Sequence, residues 1–93
     1  MFPALLPTYS RTDIAFVRGE GSWLFDEHGK RYLDFGAGIA VNAFGHANPK
    51  LVAALTEQAG KLWHTSNLYR VPGQEKLAQK LVAHSFADTA FFT

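Results

Sequence analysis

Between Asp13 and Phe35, β-branched and aromatic residues alternate with polar ones and are interrupted by glycine every few positions. That rhythm leaves little room for anything but short strands, because strand side chains alternate between two faces and glycine marks the turns. The first predicted strand, Ile14 to Arg18, ends at Gly19-Glu20-Gly21, and the second, Ser22 to Phe25, is joined to a third by Asp26-Glu27-His28-Gly29. The link suits a hairpin: the Asp26 carboxylate can accept hydrogen bonds from nearby amides, and Gly29 can take a positive φ. In the third strand Arg31, Leu33 and Phe35 share one face while Lys30, Tyr32 and Asp34 share the other, as in a half-buried sheet. The expectation is a small antiparallel meander.

The following run, Gly36-Ala37-Gly38-Ile39-Ala40-Val41-Asn42-Ala43-Phe44-Gly45-His46, is too rich in glycine for a stable helix and too uncharged for an exposed linker, so it is expected to be a packed loop. Asn48-Pro49 opens a helix: asparagine can cap free amides, and proline at the first helical position sacrifices no hydrogen bond. Leu51, Leu55, Ala59 and Leu62 then form one apolar stripe, with Gly60 weakening the end. Trp63 to Val71 is aromatic and polar together. Pro72-Gly73 terminates that stretch before a second amphipathic helix, which has Leu77, Leu81 and Val82 on one side and ends near Ser85. Ala87 to Thr93 reads as the start of an apolar strand with nothing to close it, which suggests a truncated chain. The fold class expected is therefore α+β: meander, two helices and the beginning of a sheet.

Composition narrows the function classes. Apolar residues make up 47% and charged residues 18% of the 93, enough for burial and unlike a disordered segment. A net charge of +1 lacks the basic excess that phosphate backbones or anionic lipid surfaces demand, so neither nucleic acid nor membrane is an expected partner. The longest uncharged run, Phe35 to Pro49, is interrupted by glycine and proline and falls short of the ~20 apolar residues of a membrane span. With no cysteine, disulfides, thiolate metal sites and cysteine nucleophiles are absent, which fits a reducing cytoplasmic setting.

Few residues suggest chemistry by themselves. Gly36-x-Gly38 lacks the third glycine and following helix of a dinucleotide fingerprint. His28, His46, His64 and His84 do not fall at metal-ligand spacing, so no metal is expected. His46, just ahead of a helix cap, could be a base but is assigned a structural role. Lys30, Lys50, Lys61, Lys76 and Lys80 lie in turns or on polar helix faces, where a solvated amine is a poor nucleophile. The loop with Trp63, Asn67 and Tyr69 offers flat apolar surfaces with hydrogen-bonding tips; it can line a pocket for a small polar molecule or seal a junction between helices.

Several ordered blocks resemble a known family. Gly19-Glu20-Gly21-Ser22-Trp23-Leu24-Phe25-Asp26, Gly29-Lys30-Arg31-Tyr32-Leu33-Asp34-Phe35, Gly38-Ile39-Ala40-Val41-Asn42 and Gly45-His46-Ala47-Asn48-Pro49 are similar to the N-terminal region of class-III aminotransferases, which use pyridoxal 5'-phosphate. Leu62 to Tyr69, Gln74 to Ala78 and Phe91-Phe92-Thr93 resemble the branch acting on N2-acetylornithine in arginine biosynthesis. The resemblance implies a fold-type-I homodimer that passes the terminal amino group of N2-acetylornithine to 2-oxoglutarate. Relatives acting on succinylornithine, succinyldiaminopimelate, ornithine or 4-aminobutyrate are the nearest alternatives, and a non-catalytic binding or dimerisation module is the alternative from another class. Residues 1–47 would belong to the small domain, and 48–93 would lead into the large cofactor-binding domain. The family's phosphate-holding turn, Schiff-base lysine, pyridine-facing aspartate and carboxylate-binding arginine match no residue here. The resemblance therefore assigns no catalytic or cofactor-binding residue and implies that the segment alone is inactive. It places Ile39 beside the substrate side chain, with Gly38 giving the loop room to approach, and Tyr69 near the substrate entrance; with Asn67 these are the expected substrate-binding residues.

Overall fold

The computed structural model describes residues 3–93. The chain divides into two compact units, Met1–Thr56 and Glu57–Thr93.

The first unit is built on an antiparallel sheet of β1 (Phe16–Glu20), β2 (Trp23–Asp26) and β3 (Arg31–Leu33), in the order β1-β2-β3. The meander is as expected, although β1 is displaced toward the C-terminus and runs through Gly19. Gly19 pairs with Leu24, and a methyl group there would lie 2.6 Å from Cβ and Cγ of His46. Glycine is thus tolerated inside the strand because another side chain occupies the space beside it. Gly21 turns the first hairpin at φ +57° and Gly29 closes the second at φ +82°, both conformations that glycine adopts at little cost.

A bulge decides which side chains share a face. Phe16 pairs with Asp26 and Arg18 with Phe25, leaving Val17 as an extra residue in β1. Residues two apart normally point the same way, and one inserted residue sends them to opposite sides. Phe16 accordingly meets Tyr32 edge to face, with ring centroids 5.3 Å apart. Arg18 stacks over Phe25 at 3.8 Å, and Arg31 over Trp23 at 4.1 Å, on the other face. Arg31 and Leu33 pair with Phe25 and Trp23, and Tyr32 with Leu24, which is the division of β3 expected from its alternation.

Helix α1 spans Pro49–Ala59. Its start is as expected: the Asn48 side-chain oxygen accepts from the amides of Lys50 at 3.0 Å and Leu51 at 3.4 Å. It ends before Leu62, because Gly60 and Lys61 leave the helix in a turn, bonded to the carbonyls of Glu57 and Gln58. The Trp63 indole donates to the freed Ala59 carbonyl at 2.7 Å. Helix α2 (Pro72–Ala83) takes in the Pro72-Gly73 pair that was expected to precede it, because proline at the first helical position loses no hydrogen bond, and it stops two residues before Ser85.

Three expectations are corrected. The Gly36–His46 loop is not packed away: Ile39, Val41 and Phe44 are 78–95% exposed, because the loop satisfies its backbone through its own turns. The stripe of Leu51 and Leu55 is likewise open, and no apolar side chain among the described residues is buried. Thr89–Thr93 forms no strand, since a strand exists only through a ladder and no partner strand pairs with it among the described residues.

Candidate functional site

The most organised polar features belong to the first unit. Asp26, the one buried residue among those described, accepts from the amides of His28 at 2.9 Å and Lys30 at 2.8 Å through one oxygen, and from the Tyr32 hydroxyl at 3.0 Å through the other. Burial opposes its ionisation, yet the Lys30 amide, the Tyr32 hydroxyl and the His28 amide together hold the carboxyl below its usual range. Its work is to close the second hairpin.

Asp34 does the corresponding work at the glycine-rich loop. One oxygen accepts from the amides of Gly36 at 3.0 Å and Ala37 at 2.9 Å, and the other lies 2.6 Å from Nε2 of His46 at the far end of the loop. The Ala37 amide and then the His46 ring, with the Gly36 amide, outweigh burial and hold the Asp34 carboxyl low. An ionised carboxylate can only accept, so Nε2 carries the hydrogen. His46 is fixed on its backbone side as well: its amide donates to the Gly21 carbonyl at 2.8 Å, and its carbonyl accepts from the Gly21 amide at 3.0 Å. The structural role expected for His46 is what the geometry shows, with a side-chain partner that sequence reading missed. An acid and a histidine bracketing a glycine-rich run was the available signal.

Inside this bracket Ala37, Gly38, Ile39 and Ala40 have φ of 49°, 62°, 58° and 65°. The Gly36 carbonyl accepts from the amides of Ile39 at 2.9 Å and Ala40 at 3.2 Å. These residues trace a single turn of left-handed helix. Only glycine enters it freely, whereas each other L-residue costs roughly 1–2 kcal/mol there and a branched one is an outlier. A methyl group on Gly38 would meet the Asn42 side-chain nitrogen at 3.2 Å. Ile39 is 95% exposed, so its side chain is free to meet another molecule.

The other two predicted site residues lie in the second unit. Asn67 lines a cavity of about 350 Å³ together with Trp63, His64, Thr65, Ser66 and the flanking Gln58 and Gln74. Its walls are mixed: indole and Leu62 supply apolar surface, while amides, hydroxyls and imidazole supply donors and acceptors. Tyr69 is outside this lining and is 69% exposed. The loop is anchored at its end by a two-pronged pair from Arg70 to Glu75, at 2.7 and 2.8 Å, which holds the Glu75 carboxyl low.

Pyridoxal phosphate requires a lysine amine in an enclosed site and a cradle for its phosphate. Every lysine here is exposed, and Lys61 is paired with Glu57 at 2.8 Å. The described residues do not form a site for that cofactor.

Comparison with known proteins accounts for the arrangement. The family model described as aminotransferase class-III matches residues 6–93. Acetylornithine aminotransferase of Rhodobacter capsulatus is 71% identical over the whole chain, and that of Mesorhizobium japonicum is 61% identical over 97% of it. The chain spans about a quarter of the length of these relatives, 24% and 23%. Among solved structures, N-acetylornithine aminotransferase of Stenotrophomonas maltophilia superposes with a TM-score of 0.76 at 45% identity, over 83% of this chain and 21% of that one. No helix among the described residues is long and apolar enough to cross a membrane. A family match that takes in the meander, the bracketed loop and both helices settles the kinship: this chain belongs to the class-III aminotransferases.

Proposed function

We propose that these residues are the N-terminal part of a cytoplasmic, homodimeric, pyridoxal-phosphate-dependent transaminase. Its substrates are N2-acetylornithine, which becomes N-acetylglutamate 5-semialdehyde, and 2-oxoglutarate, which becomes glutamate. The observation that carries this reading is the 71% identity, along the full 93 residues, to a relative named for that donor. The meander and glycine-rich loop, residues 1–47, contribute to a small domain, and residues 48–93 lead into the large one.

Within this reading the segment contributes recognition rather than bond-making. The left-handed turn supports the role given to Ile39, because it holds an aliphatic side chain clear of its own unit. Asn67 supports the pocket role through an amide that makes no side-chain hydrogen bond among the described residues and can therefore bind an acyl oxygen or amide. The cofactor's chemistry depends on groups that this segment does not hold. Incubating the full-length protein with 2-oxoglutarate and, in turn, N2-acetylornithine, succinylornithine, succinyldiaminopimelate, ornithine and 4-aminobutyrate tests the assignment by glutamate formation. N2-Acetylornithine is expected to give the highest kcat/KM; equal or better turnover of free ornithine removes the substrate choice.

A further inference from the structure

Strained backbone survives only where its surroundings over-determine it, and strain of that kind gathers at ligand contacts and switches. The turn Ala37–Ala40 has its own backbone bonds, from the amides of Ile39 and Ala40 to Gly36 and from Asn42 to Ala37, and the loop that carries it is closed at its two ends by one side-chain bond. Asp34 grips the first two amides of the loop and reaches Nε2 of His46 at 2.6 Å, while His46 is locked to Gly21 by paired backbone bonds. The contact is sheltered, with the two side chains only 12% and 17% exposed. Between these ends the large apolar side chains Ile39, Val41 and Phe44 face outward.

We infer that Asp34 and His46 are positioning residues: the bond between their side chains holds the left-handed turn so that Ile39 meets the aliphatic part of the amino donor, and the pair sets donor affinity without touching the donor. This inference rests on the transaminase reading and deepens it. A merely structural pair would act on stability and on kcat and KM together. A positioning pair acts on KM through Ile39.

The test uses full-length, cofactor-loaded protein. His46→Phe keeps a ring but no donor, and His46→Gln keeps a donor without the ring. The clasp predicts that His46→Phe raises KM for N2-acetylornithine about tenfold with kcat within about twofold, and that His46→Gln recovers most of the loss. Amide hydrogen exchange across residues 36–45 should quicken about tenfold in His46→Phe and stay near wild type in His46→Gln. In an Ile39→Ala background, His46→Phe should add less than about twofold to KM, since residues acting through one another are not additive. Asp34→Glu retains the charge but shifts it by one methylene; it should raise KM in the same manner, and it decides the matter if His46→Phe does not fold. Unchanged KM in His46→Phe or Asp34→Glu, or a full additional effect in the Ile39→Ala background, overturns the inference while an active wild type leaves the transaminase reading standing. Failure of the wild type to form glutamate from N2-acetylornithine overturns both.

Discussion

Gly19 shows how much can rest on a missing methyl group. An added Cβ would fall 2.6 Å from the His46 side chain, a separation that real contacts do not reach, so His46 must leave Asp34 or β1 must shift. Gly19→Ala in the full-length protein is therefore expected to destabilise by about 2 kcal/mol or more, as other overpacked sites do, readable as a lowered unfolding midpoint. Asp26 gives a prediction in pH. Its folded-state pKa is depressed, so the folded protein binds fewer protons than the unfolded chain. Its contribution is complete above the ordinary carboxylate value of about 4 and is lost as pH falls through the lower folded value. The gap in unfolding midpoint between wild type and Asp26→Asn should stay constant near neutrality and close on acidification. Tyr69→Ala should raise substrate KM more than it alters cofactor binding, as measured by titration of the full enzyme; an unaltered KM would return Tyr69 to packing. Asp26 and Gly29 were legible in sequence because their partners lie within a few residues. The Asp34–His46 bond spans twelve positions and becomes visible only once the bridge at Gly21 is known. Nothing in Ala37, Ile39 or Ala40 announces a left-handed turn, since their own preferences oppose it.

Elements were legible where local chemistry alone decides them. Asn48-Pro49 marks a helix start whose cap forms within one turn, and α1 begins where expected; α2 has no side-chain cap and takes in the Pro72-Gly73 pair expected to precede it. Asn48 also donates to the Phe44 carbonyl at 3.2 Å, linking α1 to the end of the glycine-rich loop. Asn48→Ala should cost about 1 kcal/mol and Asn48→Asp less, because the aspartate still caps; thermal unfolding of the two variants checks the order. Strand limits were less legible. Gly19, which in sequence reads as the end of β1, is paired inside it, and the bulge at Val17 depends on how β1 meets β2 rather than on either segment alone. The stretch from Thr89 reads as a strand in composition, but composition cannot supply a neighbour.

For the whole molecule, the deciding quantity is what is left uncovered. In the first unit Phe35, Ile39, Val41 and Phe44, and in the second Leu68, Phe86 and Phe91, are 78–101% exposed. Burying one such side chain contributes about 1.5–3 kcal/mol, so together they forgo on the order of 10–20 kcal/mol, comparable to or above the roughly 5–15 kcal/mol by which a domain is normally stable. Among the described residues neither unit holds a buried apolar core of its own. The 93 residues produced alone are expected to bind a hydrophobic dye and to show no sharp thermal transition, whereas the full-length protein should unfold cooperatively; a sharp transition in the isolated segment would contradict this account. The apolar content is ample by composition, but among the described residues much of it is directed outward.

The turn at residues 37–40 runs with the opposite hand to every other helical segment described. Chain assembled by peptide ligation with D-alanine at position 40 would meet there the geometry natural to a mirror-image residue. At that one site the enantiomer should fit better than the amino acid the ribosome supplies.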